Sequence, residues 1–179
     1  GETTVTVTAA QAPSTAAPTP ANNPADVISL FSNAYTNVTV DTWSASWDSA
    51  DVADVQVAGN DAKLYTNLLF SGIEFTGAHS VDATAMTHFH VDFWSADATT
   101  FHVKLVDFGA NNAFDGGDDT AHELTFTPTA GQWNQLDIPL ANFTGMTARA
   151  HVSQLIFVSS TAKVWVDNHV TYSQTSTYQ

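Results

Sequence analysis

Two tryptophans, Trp43 and Trp47, stand four positions apart in the run DTWSASWDSADVAD, bracketed by Asp, Thr and Ser. On an extended strand, residues four apart face the same side. Indole faces stack on the C–H patches of sugars, and Asp, Asn, Gln and His pair with their hydroxyls, so this pattern suits a carbohydrate. The run THFHVDFWSA alternates with period two, sending Phe89, Val91 and Phe93 one way and His88, His90, Asp92 and Trp94 the other. With Tyr65 near a turn, the candidate sugar-binding set is Trp43, Trp47, Tyr65, His90, Asp92 and Trp94. A platform at Trp43 or Trp47 is favoured, because Asp and Ser neighbours are wet. A tryptophan can equally be core, and that role stays open for each.

Two other chemistries compete for these residues. His88-x-His90 is a spacing that metal sites on sheets use, and His102 on the next candidate strand offers a third imidazole; hydrogen bonding or packing is the plainer role. Two regions look suited to a hard cation such as calcium, which takes oxygen ligands from side chains and backbone. The first joins Ser32, Asn33, Asn37 and Asp41 of FSNAYTNVTVD to Asp167 of VWVDN. The second is DFGANNAFDGGDDTAHE, where Asn111, Asn112, Asp115, Asp118 and Asp119 crowd one loop. Clustered carboxylates repel unless a cation neutralises them or water screens them, so a solvated hairpin is the alternative. The metal candidates are thus Asn33, Asp41, Asp167, Asp115 and Asp118.

Catalysis finds little support. Nucleophile elbows, phosphate-cradling glycine loops and His-Glu-x-x-His helices are absent. The only glutamates are Glu2, Glu74 and Glu123, and none has another carboxylate two positions away on its strand, as a retaining glycosidase pair would require. There is no cysteine, so thiol chemistry is excluded.

The elements that must position these side chains are strands. From Val27 to about Tyr172, short runs rich in Val, Ile, Phe, Trp and Thr alternate with Asp, Asn, Gly and Ser clusters, and no window keeps a helical spacing of apolar residues. The expected strands are VISLFS, TWSASW, ADVQVAG, KLYTNLLF, GIEFT, THFHVDFWSA, FHVKLVDFG, HELTFTP, WNQLDIPL, SQLIFVSS and KVWVDNHVTY. They suffice for an all-β, two-sheet sandwich or jelly roll, with WNQLDIPL at an edge because it holds Pro139. Ahead of them, residues 11–26 hold four of the six prolines among Ala, Ser, Thr and Asn, which reads as an extended, solvated interdomain linker. Residues 1–10, GETTVTVTAA, read as the end of a preceding domain or as a strand donated to a neighbouring chain, and residues 173–179 as a tail. The 179 residues carry a formal charge of −14 with four Lys and Arg, which leaves nothing to grip nucleic acid or an anionic bilayer, and no apolar run is long enough to span a membrane.

The runs VISLFSNAYTNVTVDTWSASWD, DVQVAGNDAKLYTNLLFSGIEF, MTHFHVDFW and KVWVDN resemble the β-sandwich modules, with a galactose-binding-like jelly roll, appended to secreted polysaccharide-degrading enzymes and surface glycan-binding proteins of marine Bacteroidetes, laminarinase-type β-glucanases among them. The likeness covers about residues 27–172. It implies noncatalytic binding of a polysaccharide, a secreted or cell-surface location, neighbouring domains in a modular parent, and a structural calcium tying the first strand region to Asp167. Acidity favours a neutral ligand, a β-glucan such as laminarin. From other classes come a structural or adhesive surface domain assembling by strand donation into a fibre, and a metal-dependent enzyme using His88, His90 and His102.

Overall fold

The computed structural model describes residues 1–6 and 9–174. Its strands are β1 (Val27–Phe31), β2 (Ser49–Val57), β3 (Asn60–Glu74), β4 (His88–Trp94), β5 (Phe101–Asp107), β6 (Thr120–Phe126), β7 (Trp133–Pro139) and β8 (Val152–Tyr172). They form where β-branched and aromatic residues alternate with polar ones, because such side chains fit a half-buried pleat. In β4, Phe89, Val91 and Phe93 enter the core as the alternation requires.

Two expected breaks are bends instead. KLYTNLLF and GIEFT run on as β3, and SQLIFVSS and KVWVDNHVTY as β8. Asn67, Thr161 and Asn168 take left-handed backbone at φ 51°, 58° and 52°, and the β3–β8 register shifts on either side of Leu68. Bulges of this kind bend a strand without ending it. Both long strands therefore pass from one layer into the other. The first layer runs β6–β5–β8–β3, using Val152–Ser159 of β8 and Phe70–Glu74 of β3. The second runs β2–β3–β8–β4–β7, using the start of β3 and the end of β8, with β1 beside the last residues of β8. The result is a β-sandwich jelly roll whose layers are halves of one antiparallel eight-stranded sheet, not two separate sheets.

Inner faces of the layers meet in an aromatic core. Phe93 of β4 stacks on Phe101 of β5 at 4.0 Å between centroids, and Phe157 of β8 lies 5.2 Å from Phe101. Each such ring, fully buried, contributes about 1.5–3 kcal/mol. As expected, β7 is an edge that pairs with β4 alone and ends at Pro139. TWSASW, by contrast, is no strand: it turns, with only Thr42 bridging Glu74.

The proline-rich segment is packed on the sandwich and not free in solvent. Ala17 is buried, Trp133 Nε1 donates to the Thr15 carbonyl at 2.8 Å, and Asn168 Nδ2 donates to the Pro18 carbonyl at 3.0 Å. This strap crosses the outer side of the second layer, where Val57, Ala62, Trp94 and Trp165 form a satellite apolar cluster with Trp133 packed against it. Residues 1–6 are exposed and carry no strand; Val7, Thr8 and residues 175–179 lie outside the described residues.

Candidate functional site

In the first layer, side chains that point away from the core fall into rows across the strands. Phe70, Val158, His102 and Thr125 share one row, then Gly72, Ile156, Lys104 and Glu123, then Glu74, Gln154, Val106 and Ala121. Neighbouring strands are about 4.8 Å apart, so the face spans ~14 Å from β3 to β6.

Trp47 lies on this face. Its indole is nearly parallel to the Phe70 ring, at 17° and 6.3 Å between centroids. Beneath it is Gly72, where a Cβ would stand 2.5 Å from two atoms of the indole's six-membered ring. Only glycine lets the ring rest against the strand backbone. Trp47 Nε1 donates to Glu74 Oε1 at 3.1 Å, and Gln154 Nε2 reaches Glu74 Oε2 at 3.4 Å. The ring nonetheless remains 46% exposed, in a cleft of about 520 Å³ lined by Trp47, Glu74, Gln154 and Phe114. Further along, His102 Nδ1 lies 2.9 Å from Glu123 Oε2 and its Nε2 lies 2.8 Å from Thr100 Oγ1. The surface is therefore a flat aromatic bed edged by a carboxylate and an amide, with a polar stretch beyond.

The other sequence-derived sugar candidates lie elsewhere. Trp43 faces inward from Trp47, because the turn between them breaks the extended spacing; its ring meets Phe31 and His169 edge-on, and Lys63 Nζ sits 4.6 Å from its centroid. Tyr65 is fully buried, its hydroxyl donating to the Trp43 carbonyl at 2.7 Å, so it has no surface to offer. His90, Asp92 and Trp94 belong to the second layer's outer side. Asp92 and Trp94 are buried, and His90 is held between Asp92 at 2.9 Å and Asp137 at 3.4 Å. Burial disfavours the His90 cation, but these two carboxylates outweigh it and hold its pKa above the ordinary histidine value. His102 projects from the first layer and His88 and His90 from the second, so a core about 10 Å thick separates the expected imidazole triad. Among the described residues, no three His, Cys, Asp or Glu side chains gather as a metal-holding group.

The calcium candidates separate too. Asp41 is taken by the 76–79 turn, accepting from Thr76 N at 2.7 Å and lying 2.6 Å from His79 Nδ1, and so never reaches Asp167. Asn33 and Asp167 do share one network. The Asn33 amide lies 3.0 Å from Asp61 Oδ2, and the adjacent Asn60 donates to Asp167 Oδ2 at 2.7 Å. Burial, then the charges of Asp92 and Asp61, push the Asp167 carboxyl up to about 6 against hydrogen bonds from Asn168 and Asn60. In the second region, Asp115 N donates to Asp119 Oδ2 and Asn111 N to Asp118 Oδ2, while Asn112 Oδ1, Asp118 Oδ1 and Asp119 Oδ1 are buried with no hydrogen-bond partner.

Sequence reasoning missed Gly72, Glu74, Gln154 and Phe114. The first two were legible in GIEFT, since Ile73 and Phe75 facing inward send residues 72 and 74 outward. Gln154 follows likewise from SQLIFV once Leu155 and Phe157 are core.

No protein-family profile matches the chain, and no curated protein matches it. Solved structures do share its fold. It is similar to the family 11 carbohydrate-binding module of a cellulosomal cellulase of Clostridium thermocellum, at 14% identity and a TM-score of 0.62 over 86% of this chain and 98% of that one. The family 30 carbohydrate-binding module of another cellulosomal cellulase of that organism gives 14% identity and 0.61 over 83% and 98%. A family 11 module from the same organism, in complex with a β-1,3-1,4-mixed-linked tetrasaccharide, gives 18% identity and 0.51 over 75% and 91%. Among the described residues, no helix is long and apolar enough to cross a membrane.

Proposed function

We propose that this chain is a noncatalytic carbohydrate-binding module that holds a neutral polysaccharide, a β-glucan such as laminarin, in the Trp47 cleft, outside the cell or at its surface, beside the domains of a modular parent. The observation that carries this reading is the indole of Trp47 lying flat on Gly72 with its edge bonded to Glu74 and nearly half its surface open. A sugar ring stacked there meets an aromatic face below and finds Glu74 and Gln154 beside it for its hydroxyls. The fold shared with carbohydrate-binding modules, one of them solved with a β-1,3-1,4-mixed-linked tetrasaccharide, supports this ligand class. A formal charge of −14 favours a neutral polymer. Glu74 and Glu123 are the glutamates of the face, about 15 Å apart along the sheet, and each is turned to its own partner. Glycosidase carboxylate pairs stand about 5–9.5 Å apart, a spacing these two glutamates do not have. Affinity electrophoresis against laminarin, mixed-linkage glucan and an acidic polymer tests the reading: retardation by the neutral glucans, lost in Trp47→Ala, is expected, and retardation by none of them sinks it.

Calcium belongs to this reading as a structural staple. The three unpartnered oxygens of Asn112, Asp118 and Asp119 fit a hard cation, which would replace the hydrogen bonds they lack. Asp167 and Asn33, which share one polar network, would hold a second ion at a carboxyl whose pKa burial and the charges of Asp92 and Asp61 already raise. Binding to the fold alone raises its melting temperature by mass action. A chelator should therefore lower it, with Asp118→Asn and Asp167→Asn reporting which site responds; an unchanged melt in chelator counts against both.

A further inference from the structure

Phe114 is 70% exposed on the loop between β5 and β6, and it lines the same cleft as Trp47. It is not a loose tip. The amide on its N-terminal side, Ala113 N, donates to Asn111 Oδ1 at 3.0 Å, and the one after it, Asp115 N, donates to Asp119 Oδ2 at 2.9 Å. Asn112 Nδ2 ties the loop to the Gly77 carbonyl at 3.1 Å, and the phenyl ring packs 5.8 Å from Phe108. The loop thus presents one apolar ring, in a fixed place, to a cleft already floored by another.

We infer that Phe114 is the second wall of this cleft, covering the upper face of a sugar ring that rests on Trp47, and that the pair selects glucose-configured residues over their axial epimers. The inference rests on the cleft being a glycan site. In a β-glucopyranose ring every hydroxyl is equatorial, so both faces present only C–H groups and both can meet aromatic carbon. The hydroxyls then point sideways, toward Glu74 and Gln154, whose carboxylate and amide retain free lone pairs and donors. Mannose or galactose turns one hydroxyl axial, against one of the two walls. A hydroxyl pressed on an aromatic ring loses water without gaining a hydrogen bond, which disfavours that epimer. A one-sided platform lacks this penalty, since the axial group can face solvent.

Isothermal titration of wild type, Trp47→Ala, Phe114→Ala and Phe114→Tyr with mixed-linkage glucan, β-1,4-mannan and β-1,3-galactan, whose axial hydroxyls are free, tests it, with melting curves on each variant. Phe114→Ala should melt as wild type, bind glucan about tenfold more weakly and lose most of its preference for glucan over mannan and galactan, while Phe114→Tyr keeps both. Glucan binding lost in Trp47→Ala but intact in Phe114→Ala overturns the second wall and leaves the glycan site standing. Equal wild-type affinity for glucan and mannan overturns the selectivity. Wild type that binds no glucan, or a Trp47→Ala variant that binds it normally, overturns the glycan site itself.

Discussion

The two outer sides of the sandwich carry similar aromatic side chains to opposite ends. On the first layer, Trp47 lies flat over Gly72 with its ring open beside Glu74. On the second, Trp94 and Trp165 meet edge-on at 5.5 Å and 87°, buried with Val57 and Ala62, and a proline-rich strap is bonded to Trp133 above them. Tryptophan count therefore says little about binding. What matters is what lies beneath the ring and what lies over it: a glycine below and solvent above leave one face open, whereas side chains around it and chain across it close both.

The sharpest way to break this contrast is to truncate one tryptophan on each side. Trp165→Ala should cost about 3–5 kcal/mol of stability, as large-to-small changes in packed sites do. Trp47→Ala should leave the melt within a degree or two of wild type and cost about 2 kcal/mol or more of glucan binding. The reverse pattern, or equal unfolding by both, would erase the distinction.

Acid probes the inner side of the same fold. His169 is buried among Phe31, Trp43 and Phe157, and burial together with Lys63 pushes its pKa down to about 3. The unfolded chain takes up that proton near 6.5, so the stability His169 contributes is complete above 6.5 and lost as pH falls toward 3. Asp167 acts in the opposite sense. With its folded pKa raised to about 6, its ionisation opposes folding at neutral pH, and that opposition disappears as pH falls through 6 toward the unfolded value. Chemical denaturation from pH 7 to 4 should show stability falling relative to His169→Phe in wild type, since only wild type loses the His169 contribution; matching profiles would remove histidine as the cause.

Smaller changes sharpen the platform. Gly72→Ala puts a methyl group where the indole rests, so the ring must lift; glucan affinity should fall about tenfold, or 1.4 kcal/mol, with the melt nearly unchanged. Affinity equal to wild type would mean the flat seat is immaterial. Deleting residues 1–20 removes the bonds to Thr15 and Pro18 and should cost about 1–2 kcal/mol of stability at roughly 1 kcal/mol per hydrogen bond, leaving binding intact and the chain monomeric. Loss of an assembled state on that deletion would favour the fibre-forming alternative.

Much of this molecule was legible before its fold was known. Alternation assigned the faces of β4, and the same rule applied to the end of β3 turns Gly72 and Glu74 outward, because the pleat has a period of two whatever surrounds it. The all-β class, the edge position of β7 and the outward direction of Trp47's neighbours follow from composition and local stereochemistry. Trp43 was misplaced because four-residue spacing means a shared face only on a strand, and the turn between the two tryptophans rotates them apart. His102 was misjoined to His88 and His90 because outward on one strand and outward on the next become opposite sides of a sandwich when they lie in different layers. Asn67, Thr161 and Asn168 could be read as turns or as bends, and only long-range pairing between β3 and β8 settles which. Local pattern dictates which way each strand turns its apolar residues, since that information lies within a few positions of each one. Tertiary structure decided which exposed rings share a cleft and which are covered by another part of the chain, because Trp47, Gly72, Phe114 and Gln154 are far apart in sequence and meet only through strand pairing.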